Sequence, residues 1–571
     1  MPPTPPSTPE PGEARIRDRG DACPGALRLH PADDGRLARL RLPGGRLTVR
    51  QAEALALAAE TLGDGRISIT SRGNAELRGL ADDCGTRLAA LLDDAGLLPS
   101  PSHERVRNIV ASPAAGLDGL GPGAAQLWAR ALDTLLCAEP WTAALSGRFL
   151  FVLDDGHGDV AGLGGDVTLI AVGAGGALPR DGGQGFRGAG EDLLHAGGQD
   201  FWVAGEDAAR AARAGAEAGG ALLHAGGQGF WVAGEDAARA ALAGAEAFLA
   251  AAEAAGNGAW RVRELPPGTA LDVAGALARA GIAGEPVPDA SLPQGEPPAP
   301  GVLGANGLYV LAPLGRLTAA QLRALAAGAE ELRFTPWRGV VVVEAAPGDA
   351  DTRAEAGLTP WRGRVVVEAT PRDADAQAET GMGLQAPREG HGPEQPTLTP
   401  GGPGPAPADH RPADARDGHG PERPAGPPGG TAPSAATPVP VPGAGHGPEQ
   451  PAPIPTHVTV TVTGDATPHA RLRRLAALGL VTSPAAPLAG VSACTGRPGC
   501  GKALADVRAD AGRAPGGGLP VHYSGCERRC GHPHGAWVDV LAVGDGDYLV
   551  DGAPIPRTSL TEAVATARTT R

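Results

Sequence analysis

Lysine is almost missing from this sequence: Lys502 is the only one, so nearly every cation is an arginine. Aromatic residues are also scarce, at 3% of positions against 42% hydrophobic overall. Much of the apolar content is therefore alanine, which buries little area per residue, and several modest domains fit better than one large core. Net positive charge is absent, with 64 acidic residues against 49 basic and a formal charge of −15, which excludes wholesale binding of nucleic acid through phosphate neutralisation. No run of about 18 apolar residues occurs, and the start, Met1 to Arg15, has neither the basic nor the apolar region of a secretory leader. The expectation is a cytoplasmic protein with no membrane partner. Cysteines number seven, an unpromising basis for a disulfide framework in a cytoplasmic chain. Four of them crowd between residues 494 and 530.

Glycine and proline are in excess, 88 and 57 residues, a level at which part of the chain is expected to lack a packed core. Residues 1–20 read as a disordered tail, too poor in apolar surface to offset the entropy of ordering. From Leu37 to Leu42 polar and apolar residues alternate as in a half-buried strand, and Pro43-Gly44-Gly45 turns the chain. Thr48 is placed to cap a helix carrying Ala52, Leu55, Ala56 and Ala59 on one face, and Arg66 to Thr70 alternates again. The unit ends in Thr70-Ser71-Arg72-Gly73. It returns 270 residues later: Gly315-Arg316-Leu317-Thr318-x-x-Gln321 repeats Gly45-Arg46-Leu47-Thr48-x-x-Gln51, and a strand then leads into Thr335-Pro336-Trp337-Arg338-Gly339. Two copies so far apart point to homologous halves about a pseudo-twofold, each aiming an arginine at a shared site.

Shorter duplications are of another kind. Leu194-His195 and its sequel recur at Leu223-His224, Thr335 to Gly339 recurs at Thr359 to Gly363, and Gly-His-Gly-Pro-Glu starts at Gly390, Gly418 and Gly445. The Pro-rich surroundings of the last set read as linker, so His391, His419 and His446 are taken as solvated rather than metal-binding. Past it, His457 to Thr463 reads as a strand, His469 to Leu478 as a helix, and Trp537 to Val543 with Tyr548 to Val550 as a β-hairpin. Gly119-Leu120-Gly121-Pro122-Gly123 is discounted as a phosphate loop, since no clear strand leads into it and proline interrupts it.

The strongest chemical signal is Cys494-x5-Cys500 followed by Cys526-x3-Cys530, both pairs in Gly-rich loops. Four thiolates suit an iron-sulfur cubane, and glycines let backbone approach a bulky inorganic core. Lys502, Arg497, Arg528 and Arg529 would offset its negative charge. Structural zinc is the competing reading, although a five-residue spacer is wide for it.

These cysteine pairs, the two half-domain endings and Arg107-Asn108-Ile109-Val110 together resemble the sulfite/nitrite reductase superfamily. Within it, Asp21 to His30, Ser146 to Gly156 and Gly525-Cys526-Glu527-Arg528-Arg529-Cys530-Gly531-His532-Pro533 resemble the precorrin-3B synthase branch. The resemblance implies an α+β fold, with two ferredoxin-like half-domains related by a pseudo-twofold plus nitrite/sulfite reductase-type 4Fe-4S modules. The expected organisation is a tail at 1–20, a first half-domain at 21–100, a reductase-type α/β module at 101–175 and an Ala/Gly-rich duplicated segment at 176–300. A second half-domain at 301–345, a duplicated segment and linker at 346–456 and a 4Fe-4S module at 457–571 complete it.

It further implies a monooxygenase that takes precorrin-3A and O2, hydroxylates a meso carbon and closes an acetate into a γ-lactone. The implied cofactors are a 4Fe-4S cluster on Cys494, Cys500, Cys526 and Cys530 and a further mononuclear non-haem iron, with sirohaem not expected. No nucleotide-binding domain is evident, so nicotinamide electrons would arrive through a separate reductase or ferredoxin. The superfamily's anion- and tetrapyrrole-binding positions fall on Arg72, Arg78, Arg107 and Arg148, and Arg338 repeats Arg72 in the second half. The second cationic position near Arg148 is here Leu150, which weakens the alternative of a sirohaem-dependent sulfite or nitrite reductase. A third alternative is a non-catalytic zinc or tetrapyrrole-binding module.

Each of these residues also has a plainer reading. A single arginine at a strand end is usually solvated or ion-paired, Trp337 serves equally as packing, and His522, His532 and His534 read as loop rings before iron ligands. Cys84 and Cys137 read as small core residues.

Overall fold

The computed structural model describes residues 25–119, 123–172, 219–288, 290–345, 467–514, 516–533, 535–544 and 546–569. These fold as α+β around four sheets. The first runs His30–Ala32, Gly35–Leu40, Ala75–Leu80, Arg66–Ile69 and, at its edge, Arg316–Thr318. The second runs Gly301–Leu303, Gly307–Leu311, Gly339–Glu344, Ala329–Phe334 and, at its edge, Arg46–Thr48. The two orders are the same, and each half contributes its short strand to the sheet of the other, antiparallel in both places.

Local chemistry explains how both copies reach this arrangement. Thr48 and Thr318 each accept from the backbone of the glutamine three residues on, while Gln51 and Gln321 accept in return from the threonine N–H. These reciprocal capping boxes fix where the helices Val49–Leu62 and Ala319–Ala326 begin. Gly45 has φ +75°, and a Cβ there would overlap the carbonyl oxygen of Phe334 in the other half; only glycine allows the approach. Leu47 and Leu317 are fully buried with Leu55, Ala56, Leu322 and Leu332 in one shared core. Each such leucine stabilises the fold by about 2 kcal/mol. Ion pairs lock the exchanged strands: Arg46 to Glu331 in one sheet, Arg316 to Asp64 in the other.

The third sheet begins with three parallel strands, Ile109–Ala111, Phe151–Asp154 and Val167–Val172. It continues antiparallel through Gly220–Ala225, Gln228–Val232 and Glu285–Val287. This corrects the expected boundary near residue 175: the second copy of the Leu-His duplication is a strand of this module, and the first copy lies outside the described residues. Helices Ala124–Ala138 and Ala237–Ala255 cover the sheet, with alanine faces that permit close packing. Asp155 accepts from the N–H groups of Gly123 and Ala125, so a carboxylate takes the helix N-terminus that follows the discounted glycine loop.

The fourth sheet repeats the pattern of the third. Val491–Ala493, Val521–Ser524 and Val538–Ala542 are parallel, then Asp547–Val550 and Ala553–Pro556 turn back antiparallel. The hairpin expected at 537–550 is therefore present, while the strand expected at 457–463 and the histidines of the linker lie outside the described residues. The helix expected near 469 spans Pro468–Ala477, but its Leu472 and Leu475 pack into the half-domain core instead of the cysteine module. Arg471 fixes it there through Glu344 and the carbonyls of Leu325 and Ala327. Among the described residues no helix is long and apolar enough to cross a membrane.

Candidate anion cleft and cysteine centre

The polar faces of the half-domain strands meet the two α/β modules at a cleft of about 600 Å3, a volume typical of small-molecule sites. Its lining includes Arg39, Arg41, Arg72, Arg148, Arg261, Arg263, Arg338 and Arg508, against only two carboxylates, Glu76 and Glu264. Cys494 and Cys530 open onto the same space.

The arginines differ in how far they are committed. Arg39 pairs with Glu76 at 2.6 Å. Arg41 is buried and donates to the carbonyls of Arg105 and Gly147 and to Asn108, whose amide in turn donates to the Phe149 carbonyl. Arg261 forms a buried ion pair with Asp166, which also accepts from the N–H groups of Leu150 and Val262. These three build the wall. Arg72 reaches the carbonyl of Arg148 at 3.4 Å, and the exposed Arg148 lies over the Trp260 ring, 5.0 Å from its centroid. Arg338 holds φ +62° and donates to the Gly531 carbonyl at 2.5 Å, next to Cys530. Arg508 donates to the Leu314 carbonyl at 3.1 Å, while its Nε is buried with no partner. Burial lowers both, Arg338 to about 10 and Arg508 to about 9, with repulsion from Arg316 and Arg338 adding to the shift at Arg508.

Of the arginines expected to bind substrate, Arg72, Arg148 and Arg338 come together here. Arg78 and Arg107 are not among the residues that line the cleft. Arg78 is spent on a bidentate pair with Asp34, both contacts at 2.8 Å, and on the carbonyl of Gly499 beside Cys500. Arg107 is buried in a bidentate pair with Asp133 at 2.6 and 2.7 Å. Leu150 also stands away from the cleft, in a small apolar cluster with Val110, Val152 and Val160 against which Trp337 packs.

Sequence reasoning missed Arg39, Arg41, Arg261, Arg263 and Arg508. A signal existed for the first two: in the alternating strand from Leu37 they occupy the polar positions, and that face is the cleft rather than solvent.

The cysteines follow the first two strands of their sheet. Cys494 succeeds Val491–Ala493 and accepts from the Gly525 N–H at 3.1 Å, and Cys526 succeeds Val521–Ser524. At the matching places of the third sheet stand Ser112 and the run Asp155 to Asp159, with Ser112 donating to Asp159 at 2.6 Å. The thiol of Cys530 is pushed up first by burial and then by Cys526, Cys494 and Cys500, with Arg528 opposing. Four mutually repelling sulfurs are a fit to a cationic inorganic core.

Among the described residues no three His, Cys, Asp or Glu side chains converge tightly enough to hold a single metal ion. His522 is not a loop ring: it is buried on a strand, its Nε2 donates to the Cys530 carbonyl and its Nδ1 meets the Ser492 hydroxyl. Burial first, then Arg338, brings its pKa down to about 3. His532 is exposed and stacks on Trp537, and His534 lies outside the described residues. Arg529 is paired to Asp539, leaving Lys502, Arg497 and Arg528 as the exposed cations around the cysteine loops. Cys84 is buried in the half-domain core, and Cys137 is half-buried, its thiol pushed up to about 11 by burial and Asp133; Cys23 lies outside the described residues.

Residues 30–94 match the family described as the nitrite/sulfite reductase ferredoxin-like half-domain. This part of the chain is similar to such a half-domain. A precorrin-3B synthase from Sinorhizobium sp. is 42% identical over 90 residues, 16% of this chain and 19% of that protein. A ferredoxin–nitrite reductase from Synechococcus elongatus is 43% identical over 91 residues, 15% of this chain and 18% of that protein. The similarity thus spans less than a fifth of the length of either curated relative. The solved Mycobacterium tuberculosis NirA protein superposes with a TM-score of 0.45 at 13% identity, over 92% of this chain and 79% of that one.

Proposed function

We propose that the chain is an oxidoreductase of the precorrin-3B synthase kind, an O2-dependent monooxygenase that converts precorrin-3A to precorrin-3B. The observation that carries this reading is the cleft: eight arginines and two glutamates around a space that Cys494 and Cys530 enter. A small oxyanion needs few such groups, whereas a macrocycle bearing many carboxylates can engage most of them through charge-assisted bonds. Arg72, Arg148, Arg263, Arg338 and Arg508 would hold the carboxylates, Arg41 and Arg261 would keep the wall in register, and Ile69, Leu314 and Ala493 would give the ring apolar contact. Cys494, Cys500, Cys526 and Cys530 would hold a 4Fe-4S cluster, which when bound supplies electrons one at a time. In the overall reaction one oxygen atom of O2 enters the meso carbon. The other leaves as water, with two electrons from a separate nicotinamide-fed donor and two protons. The similarity to a precorrin-3B synthase supports this assignment.

The second reading is a sirohaem-dependent sulfite or nitrite reductase, in which the same arginines would hold the tetrapyrrole as prosthetic group; the equal similarity to a nitrite reductase favours it. The apolar, buried Leu150 in place of a second cation near Arg148 weighs against it. Anaerobic purification with iron, acid-labile sulfide, zinc and an absorption spectrum measured on one sample separates the readings. Cluster iron without sirohaem, followed by incorporation of one labelled oxygen atom when precorrin-3A and isotopic O2 are supplied, is the expected result. Sirohaem bands with anion turnover would transfer the assignment to the reductase, and zinc without sulfide would end both.

A further inference from the structure

Two half-buried guanidinium groups in the cleft have no carboxylate partner. Among the described residues no carboxylate lies within ion-pairing distance of Arg338 or Arg508, whereas Arg78, Arg107 and Arg261 are each matched to an acid. Arg338 donates to one carbonyl, that of Gly531, and Arg508 to one, that of Leu314. The Nε–H of Arg508 is buried with nothing to accept it. Cys494 and, after it, Glu76 act on both at longer range, but Glu76 is already bonded to Arg39 and Arg78. Arg508 is also repelled by Arg316 and, after it, by Arg338.

The arrangement is held rather than relaxed. Leu314, whose carbonyl accepts from Arg508, sits at φ +51°, and Arg338 sits at φ +62°, both in a region that side-chain-bearing residues seldom adopt. Gly315 lies directly under the Arg338 side chain, where a Cβ would press against its Cδ. A partly desolvated cation without a carboxylate partner is costly, and a backbone that keeps two of them on the wall of one open cleft is prepared for an anion to arrive.

We propose that Arg338 and Arg508 form a paired anion subsite beside the Cys494 and Cys530 loops that takes one carboxylate of the bound ligand. Only the identity of the occupant rests on the polycarboxylate reading of the cleft; the pair itself is a site for any oxyanion of carboxylate or sulfate size. It fixes the edge of the ligand nearest the cysteines, because Arg338 is tied to Gly531 and Arg508 follows the Cys500 loop.

The test uses the full chain, purified anaerobically, with two probes: sulfate, followed by its effect on thermal unfolding, and an octacarboxylate porphyrin, followed by fluorescence. Arg508→Gln and Arg338→Gln are each expected to weaken both probes by about tenfold or more, the range of a lost charge-assisted hydrogen bond. In the absence of ligand, Arg508→Gln is expected to unfold at the same temperature or higher, since it removes a repelled cation; a merely structural arginine would lower it. Arg508→Lys should restore part of the affinity, and Arg279→Gln, which removes an exposed surface charge, should leave binding unchanged. Unaltered affinity for both probes in Arg508→Gln and Arg338→Gln would overturn the subsite even if the porphyrin binds tightly elsewhere in the cleft. Sulfate binding that depends on the pair, with no porphyrin binding to the wild type, would uphold the subsite and remove the polycarboxylate reading.

Discussion

Glu331 joins the two half-domains, and replacing it by glutamine tests how firmly they are joined. Its carboxylate accepts from Arg46 of the exchanged strand, with Nε at 2.7 Å, and from Arg333 at 2.8 Å on the other oxygen. The side chains of Glu331 and Arg333 are only 12% and 10% exposed. Removing one member of a buried charge network costs roughly 3–5 kcal/mol, because the partners remain desolvated and unpaired. Glutamine keeps one acceptor oxygen, which places Glu331→Gln at the lower end, about 3 kcal/mol. Urea unfolding at neutral pH reads this as a lower midpoint at unchanged slope. A pH series adds a second arm. Burial alone would raise the Glu331 carboxyl, but Arg46 and Arg333 outweigh it and hold the group below its ordinary value. Its contribution is therefore complete above the unfolded-state pKa of about 4.3 and is lost as pH falls through the lower folded value. The gap between wild type and Glu331→Gln should accordingly narrow in acid. A neutral-pH difference under about 0.5 kcal/mol, the scale of an exposed pair, would refute the reasoning.

Other outcomes follow from the same geometry. Gly45→Ala, at φ +75° against the Phe334 carbonyl, should abolish folding or cost several times the roughly 1 kcal/mol expected of Gly65→Ala, which has φ +76° and open space; equal unfolding midpoints would count against the close approach. Thr48→Ala and Thr318→Ala should each cost about 1 kcal/mol in urea unfolding through loss of a cap. Cys500→Ser or Cys526→Ser should purify without cluster iron and sulfide, and an iron-replete variant would remove that cysteine from the ligand set. Arg72→Ala should weaken porphyrin binding while leaving iron content unchanged.

Much of this was legible because it is local. The capping boxes, the turns and the alternation from Leu37 are written in neighbouring residues, and both half-domains could be read from them. The cysteine spacing likewise raised the expectation of a four-thiolate centre, because ligand number and loop glycines are sequence properties. What could not be read was pairing at a distance. Arg78 and Arg107 look like binding arginines until Asp34 and Asp133 stand opposite them, and nothing in the sequence near Arg508 tells that it lines the same cleft as Arg338. The membership of Pro468–Ala477 in the half-domain core and of Gly220–Ala225 in the first module was hidden for the same reason. Helix and strand patterns name an element without naming its neighbour.

The exchanged strands have a further meaning. Two identical subunits trading an edge strand would form a twofold dimer in which every substitution at the joint occurs twice, and must satisfy both copies at once. Carried on one polypeptide, the joint is counted once per position. The pairs that close it already differ: Arg46 meets Glu331 on one side, while Asp64 meets Arg316 on the other. The turn before each strand differs too, with Gly44 at φ +63° where the other copy holds Leu314 at φ +51°. That freedom lets one turn offer its carbonyl to Gln126 while its twin offers one to Arg508. An asymmetric ligand can thus be met by a frame that began as two equal parts.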